Sequence, residues 1–216
     1  MKSANQLLNQ ITDPSLTPDE RARLRCQLAK QLEDIGNYEA AREALGELWR
    51  GIGHRPVVDG LDQATAAEVI LRAGVLTGWI GCIKQIEGSL EEAKDLISES
   101  LTIFVSLRDV LKTAEAQMEL SLCYWREGAF NEARDLLKEA LNRLPDEASD
   151  LKAVTLLRLA IVEKVSNRLN DALHILMKAA TLFEASGNHT LKGSFHNEYG
   201  TVLKNLGRAE HRRDYI

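Results

Sequence analysis

Apolar residues recur at helical spacing along most of the chain. Leu24, Leu28, Ala29, Leu32 and Ile35 make one stripe, and Leu136, Leu137, Ala140, Leu141 and Leu144 make another. A third is formed by Leu173, Leu176, Ala180 and Phe183. A spacing near 3.6 residues turns each set to one side of a helix, so each stripe predicts an amphipathic helix with a buried face. Between the helical runs lie short turns that hold Gly or Asn, and an Ala follows early in the next run.

Gly36, Tyr38 and Ala41 set the pattern. It returns as Gly88, Leu90 and Ala93, as Gly128, Phe130 and Ala133, and as Asn167, Leu169 and Ala172. A fifth turn is placed at Gly207, before Ala209. The turn residues 36, 88, 128, 167 and 207 stand 52, 40, 39 and 40 apart. Gly or Asn accepts the left-handed backbone that ends a helix. The bulky residue two places on can cover the turn, and the Ala lets the second helix approach the first.

Start signals agree with this reading. Thr17-Pro18-Asp19-Glu20 has an N-cap hydroxyl, Pro at the first helical position and Glu placed to close a capping box. Ser89 and Glu92 repeat the arrangement. Pro145 separates one helix pair from the next. The surplus in the first step lies in residues 51–61, rich in Gly, which read as a loop. Alternatively Asp62–Gly74 begins an extended first helix, capped by Thr65 with Glu68.

These residues resemble the tetratricopeptide repeat (TPR) family, most closely between Ala114 and Pro145. Leu120, Ser121 and Tyr124, then Gly128, Phe130, Ala133, Leu137, Ala140 and Pro145, look like its signature. The small first-helix residue recurs as Ala29, Gly81, Ala160 and Gly200. The resemblance implies an all-α fold, an α-α superhelix or TPR-like solenoid of about four and a half helix pairs. The pairs are expected over residues 18–50, 62–108, 112–145, 149–186 and 190–216, the last incomplete. Helices should exceed the family's usual length, because the period of about 34 residues is here near 40. Such long repeats are similar to those of bacterial regulatory sensors and of kinesin light chain.

The resemblance also implies a groove lined by the first helix of each pair. Its inward face would carry Trp79, Cys82 and Gln85, then Met118, Leu122, Trp125 and Arg126. It continues through Leu157, Arg158, Ile161 and Lys164 to Asn197, Thr201 and Lys204. Aromatic and Arg side chains anchor most binding hot spots, which puts Trp125, Arg126 and Arg158 first among the partner-binding residues. For both tryptophans the competing role is packing between helices. The chaperone-tail subset grips a carboxylate with Lys, Asn and Arg; here Gly78, Cys82 and Glu119 occupy the corresponding places and only Arg158 matches.

Composition narrows the function classes. With 27 basic and 32 acidic residues interspersed, the chain has no broad electrostatic footprint for nucleic acid. The charged stretch 208–214 reads as a solvated helix start. No stretch holds about 18 uninterrupted apolar residues, so no membrane span is expected. Cys26, Cys82 and Cys123 are isolated among apolar residues and read as buried reduced thiols, which fits the cytoplasm. No nucleophile, P-loop, dinucleotide or zinc-protease motif is present, and His196 and Glu198 diverge on a helix. The expectation is therefore a non-enzymatic scaffold, without metal or cofactor, that binds a protein or peptide in a regulatory module. Phe195, Tyr199, Val202 and Leu206 would face an array that stops early. That implies either the N-terminal part of a longer protein or pairing with a second copy as a homodimer.

Overall fold

The computed structural model describes residues 4–145 and 149–209. Among them run ten α-helices: α1 (Ala4–Ile11), α2 (Pro18–Asp34), α3 (Tyr38–Leu45), α4 (Gln63–Lys84) and α5 (Ser89–Ser106). They continue as α6 (Val110–Glu127), α7 (Phe130–Arg143), α8 (Ser149–Val165), α9 (Leu169–Ala185) and α10 (His189–Ala209). The chain divides into two compact units, Met1–Glu119 and Leu120–Ile216.

In the first unit, α2 opens on the capping box. The Glu20 amide donates to Thr17 Oγ1 at 3.2 Å, and the Thr17 amide donates to Glu20 Oε2 at 2.9 Å. Such a cap is worth about 1 kcal/mol. The helix ends at Gly36, whose φ of 76° is the left-handed conformation its place requires. Ala41 and Ala93, early in α3 and α5, are 0% exposed. α4 is buried on all sides from Val69 to Gly78 and packs against α2, α3 and α5. It is long and apolar enough to cross a membrane by composition, and its burial in the core explains that apolarity.

Two start signals work differently from their sequence pattern. Asp62, not Thr65, caps α4 by accepting from the Thr65 amide at 2.8 Å. Asp62–Gly74 thus opens an extended first helix of 22 residues. Ser89 is no cap: it is the first residue of α5, and its Oγ donates back to the Ile86 carbonyl at 2.7 Å. Glu92 instead accepts from the Gly53 amide at 2.9 Å and pins the connection before α4. That connection is a folded strap. Trp49 is buried beneath it and donates its indole N–H to the His54 carbonyl, and Arg55 pairs with Glu99 at 2.6 Å.

The second unit buries Ala172, Leu176, Phe183, Phe195, Val202 and Leu206 in one core. Phe183 stacks on Phe195 with centroids 4.4 Å apart. Arg134 on α7 reaches the carboxylate of Glu163 on α8 through two bonds, at 2.7 and 3.1 Å. Asn188 caps α10 through the Leu191 amide.

Two expectations fail here. Gly207 makes no turn, because α10 continues through it to Ala209. Nor is the apolar side of α10 uncovered: Phe195, Val202 and Leu206 lie 5%, 0% and 4% exposed, packed against α8 and α9. Its outward face carries Gly193, Ser194, Asn197, Gly200 and Lys204 instead. Residues 210–216, where a further helix was expected to start, lie outside the described residues.

Candidate functional site

The first helices of the first unit meet around Arg72. This residue sits mid-way along α4 with no solvent exposure. Its guanidinium donates to Glu33 on α2 at 2.6 Å and to Glu115 on α6 at 2.7 Å, and lies 3.3 Å from Glu68, one turn earlier on its own helix. Lys112 of α6 bridges Glu68 at 2.5 Å and Glu115 at 2.9 Å. Lys30 of α2 stands 3.4 Å from Asp34, 3.7 Å from Glu115 and 4.0 Å from Glu119. One buried arginine thus ties three successive first helices. Charge-assisted bonds are needed here, since an unpaired guanidinium in an apolar helix would cost many kcal/mol.

Burial acts strongly on the acids in this cluster. It pushes the Glu33 carboxyl up to about 7, against the pull of Arg72 and Lys30 and with the help of Glu119 and Glu115. Burial presses Glu115 the same way, but Arg72, Lys112 and Lys30 outweigh it and hold that carboxyl below the usual range. The Cys26 thiol, two turns before Glu33 on α2, is raised chiefly by burial and stays protonated.

Beside the cluster opens a cavity of about 470 Å³. Arg23, Cys26, Gln27, Lys30, Gln31 and Asp34 line it from α2, and Ala64, Thr65 and Glu68 from the start of α4. Phe104, Asp109 and Lys112 close the third side. Arg23 fixes the rim through Thr65 at 2.8 Å and through Asp62. The site therefore sets the buried ring of Phe104 and the exposed Ala64 among charged and amide groups.

The positions expected to bind a partner fall differently. Trp79 is half-buried and lies flat on Tyr38, centroids 4.8 Å apart. Gln85 is exposed but leaves from a left-handed C-cap, φ 55°, rather than from a helix face. Met118 is 2% exposed and Leu157 7%, so both belong to the packing and neither is presented to a partner. In the second unit Leu122, Trp125, Arg126, Arg158 and Ile161 are half-buried on α6 and α8. The Trp125 Nε1 is buried with no acceptor among the described residues, and Ile161 packs on the core. Lys164 is paired with Glu198 of α10. Asn197 and Lys204 are exposed on α10, and Thr201 donates to the Asn197 carbonyl. Cys26 and Cys123 are buried as expected, whereas Cys82 is exposed with the rest of the last turn of α4.

The Arg72 cluster was not among the sequence candidates. Its signal was present: Arg72 breaks the apolar window that begins at Val69, and Glu68 precedes it by one turn. What the sequence withheld was the pairing of Glu33 and Glu115 with it across helices.

Residues 72–146 match the family model described as Tetratricopeptide repeat. No curated protein matches the sequence. Among solved structures, the nearly identical TPR-like repeats of a kinesin light chain-like protein from Podosopora anserina superpose with a TM-score of 0.62 at 16% identity, covering 93% of each chain. BtubC (BKLC) of P. vanneervenii gives a TM-score of 0.65 at 16% identity, over 99% of this chain and 84% of its own. Residues 72–146 thus carry the tetratricopeptide repeat signature, and the helix pairs around them have a TPR-like fold.

Proposed function

We propose that this chain is a non-enzymatic scaffold that binds a protein or peptide partner through the faces of its first helices, as a regulatory module in the cytoplasm. One observation carries the reading: the cavity of about 470 Å³ over α2, α4 and the start of α6, lined by apolar, charged and amide groups together, matches the chemistry of a peptide side chain with a neighbouring backbone. Taken by itself, the second unit offers the half-buried Trp125, Arg126 and Arg158, side chains of the kind that anchor partners. Three free cysteines support a reducing compartment. The buried apolar side of α10 removes the driving force for self-association by that route.

Affinity capture from native lysate tests the proposal with three proteins: wild type, Gln27→Trp, which fills the cavity from an exposed position, and Trp125→Ala with Arg126→Ala. The expected result is a direct partner, reconstituted from purified components, whose binding falls at least tenfold with one variant while the melting temperature stays within a few degrees. Equal binding by all three would remove the first-helix faces as the site.

A further inference from the structure

The acids around Arg72 outnumber the bases. Glu33 and Asp34 on α2, Glu68 on α4, and Glu115 and Glu119 on α6 surround only Lys30, Arg72 and Lys112. The deficit is felt most at Glu33. Its Oε2 accepts from Arg72, but its Oε1 is buried with no hydrogen-bond partner among the described residues. The charges acting on it are Arg72 from α4, Lys30 from its own helix, and Glu119 and Glu115 from α6, with the neutral Cys26 thiol two turns earlier on α2. Glu115, by contrast, is flanked by three cations and keeps its charge.

We propose that the Arg72 cluster is a proton-operated clasp in which Glu33 takes up the proton and α2 is the element loosened when Glu33 gives it up. A neutral Glu33 leaves Arg72, Lys30 and Lys112 facing four carboxylates rather than five, and α2 seats against α4 and α6. An ionised Glu33 adds a third buried negative charge beside Glu119 and Glu115 with one oxygen unsatisfied, and the weakest contacts, those of Lys30 at 3.7 and 4.0 Å, are the ones that yield. The sign follows from a folded-state acid held above its unfolded value. The contribution is fully present below the unfolded value, about 4.3 for Glu, and is lost as pH rises through about 7. Lys30, Glu68 and Lys112 also line the cavity, so a partner seated there would sense the clasp; this last step rests on the proposed function.

Two measurements on the full chain, without any partner, decide the matter. In protein labelled at glutamate Cδ, one carbon that is missing from Glu33→Gln should titrate with a midpoint between pH 6 and 8. Amide exchange over Cys26–Asp34, corrected for intrinsic rates, should accelerate at least threefold from pH 6 to pH 8 in wild type and stay level in Glu33→Gln. A Glu33 carbon titrating in the ordinary range overturns the clasp. So does exchange that rises equally in both proteins. If Glu33→Gln fails to fold, the wild-type spectrum still decides: no glutamate titrating above pH 6 overturns the proposal.

Discussion

The indole of Trp79 lies flat against the ring of Tyr38, their centroids 4.8 Å apart and their planes within 10° of parallel. Tyr38 is the first residue of α3 and Trp79 lies near the end of α4, so the stack ties the turn of one repeat to the first helix of the next. An aromatic pair of this kind contributes about 1 kcal/mol beyond its area. A double-mutant cycle with Tyr38→Ala and Trp79→Ala, read by denaturant midpoint, should return a coupling of that size. Independent effects of the two substitutions would show that the stack adds nothing. Loss of binding in Trp79→Ala alone is then a stability effect before it is a contact effect.

Gly81 and Gly200 hold the same place in the repeat, and their substitution should have opposite signs. A Cβ on Gly81 would lie 2.1 Å from Ser89 Oγ and 2.3 Å from its Cβ, so α4 and α5 would have to move apart. Gly81→Ala should cost about 1–3 kcal/mol despite its better helix propensity. A Cβ on Gly200 meets nothing within 4 Å. Gly200→Ala should therefore stabilise the second unit by about 0.5–1 kcal/mol. Thermal unfolding of the two variants reads both, and equal shifts would contradict the packing.

That contrast shows what sequence can and cannot convey. The turns at Gly36, Gly88, Gly128 and Asn167 were legible because a left-handed residue is a local demand, and all four have φ between 59° and 79°. The close Ala41, Ala93, Ala133 and Ala172 were legible for the same reason, and each is 0% exposed. Gly207 and Gly200 carried the same letters without the neighbours that give them meaning: α10 runs on through Gly207 and no described helix packs at Gly200. The site was the least legible part. Met118 faces inward because phase along a helix leaves a whole turn's uncertainty about which stripe meets the core. The partners of Arg72 come from positions 39 residues before it and 43 after, a pairing that only the stacked helices define.

Cys82 should be the fast thiol. It is exposed at the end of α4, while Cys26 and Cys123 are buried and burial raises the Cys26 thiol far above its ordinary value. A thiol reagent under native conditions should label one cysteine quickly, and peptide mapping should place the label on Cys82. Rapid labelling of Cys26 would mean that α2 opens far more readily than its packing implies.

Arg72 and its acids should behave as a unit whose parts cannot be removed singly. Arg72→Leu strands Glu33, Glu68 and Glu115 near one another in a site with little solvent, which should cost about 3–5 kcal/mol. Adding Glu33→Gln and Glu115→Gln removes two of the stranded carboxyl groups, and the triple variant should regain at least half of that loss, because hydrogen-bonded neutral amides are cheaper to bury than unpaired carboxyls. The two carboxylates should also separate along the pH axis. Glu115 is held below the ordinary range, so its contribution is present at neutral pH and is lost as pH falls below about 4. Glu33 contributes most at low pH and loses that contribution as pH rises through about 7. Urea midpoints measured from pH 3 to pH 8.5 should therefore lose their acid-side dependence in Glu115→Gln and their neutral-side dependence in Glu33→Gln. Both variants flattening the same side would mean that the two carboxylates titrate as one group, and the separate roles assigned to them would fall.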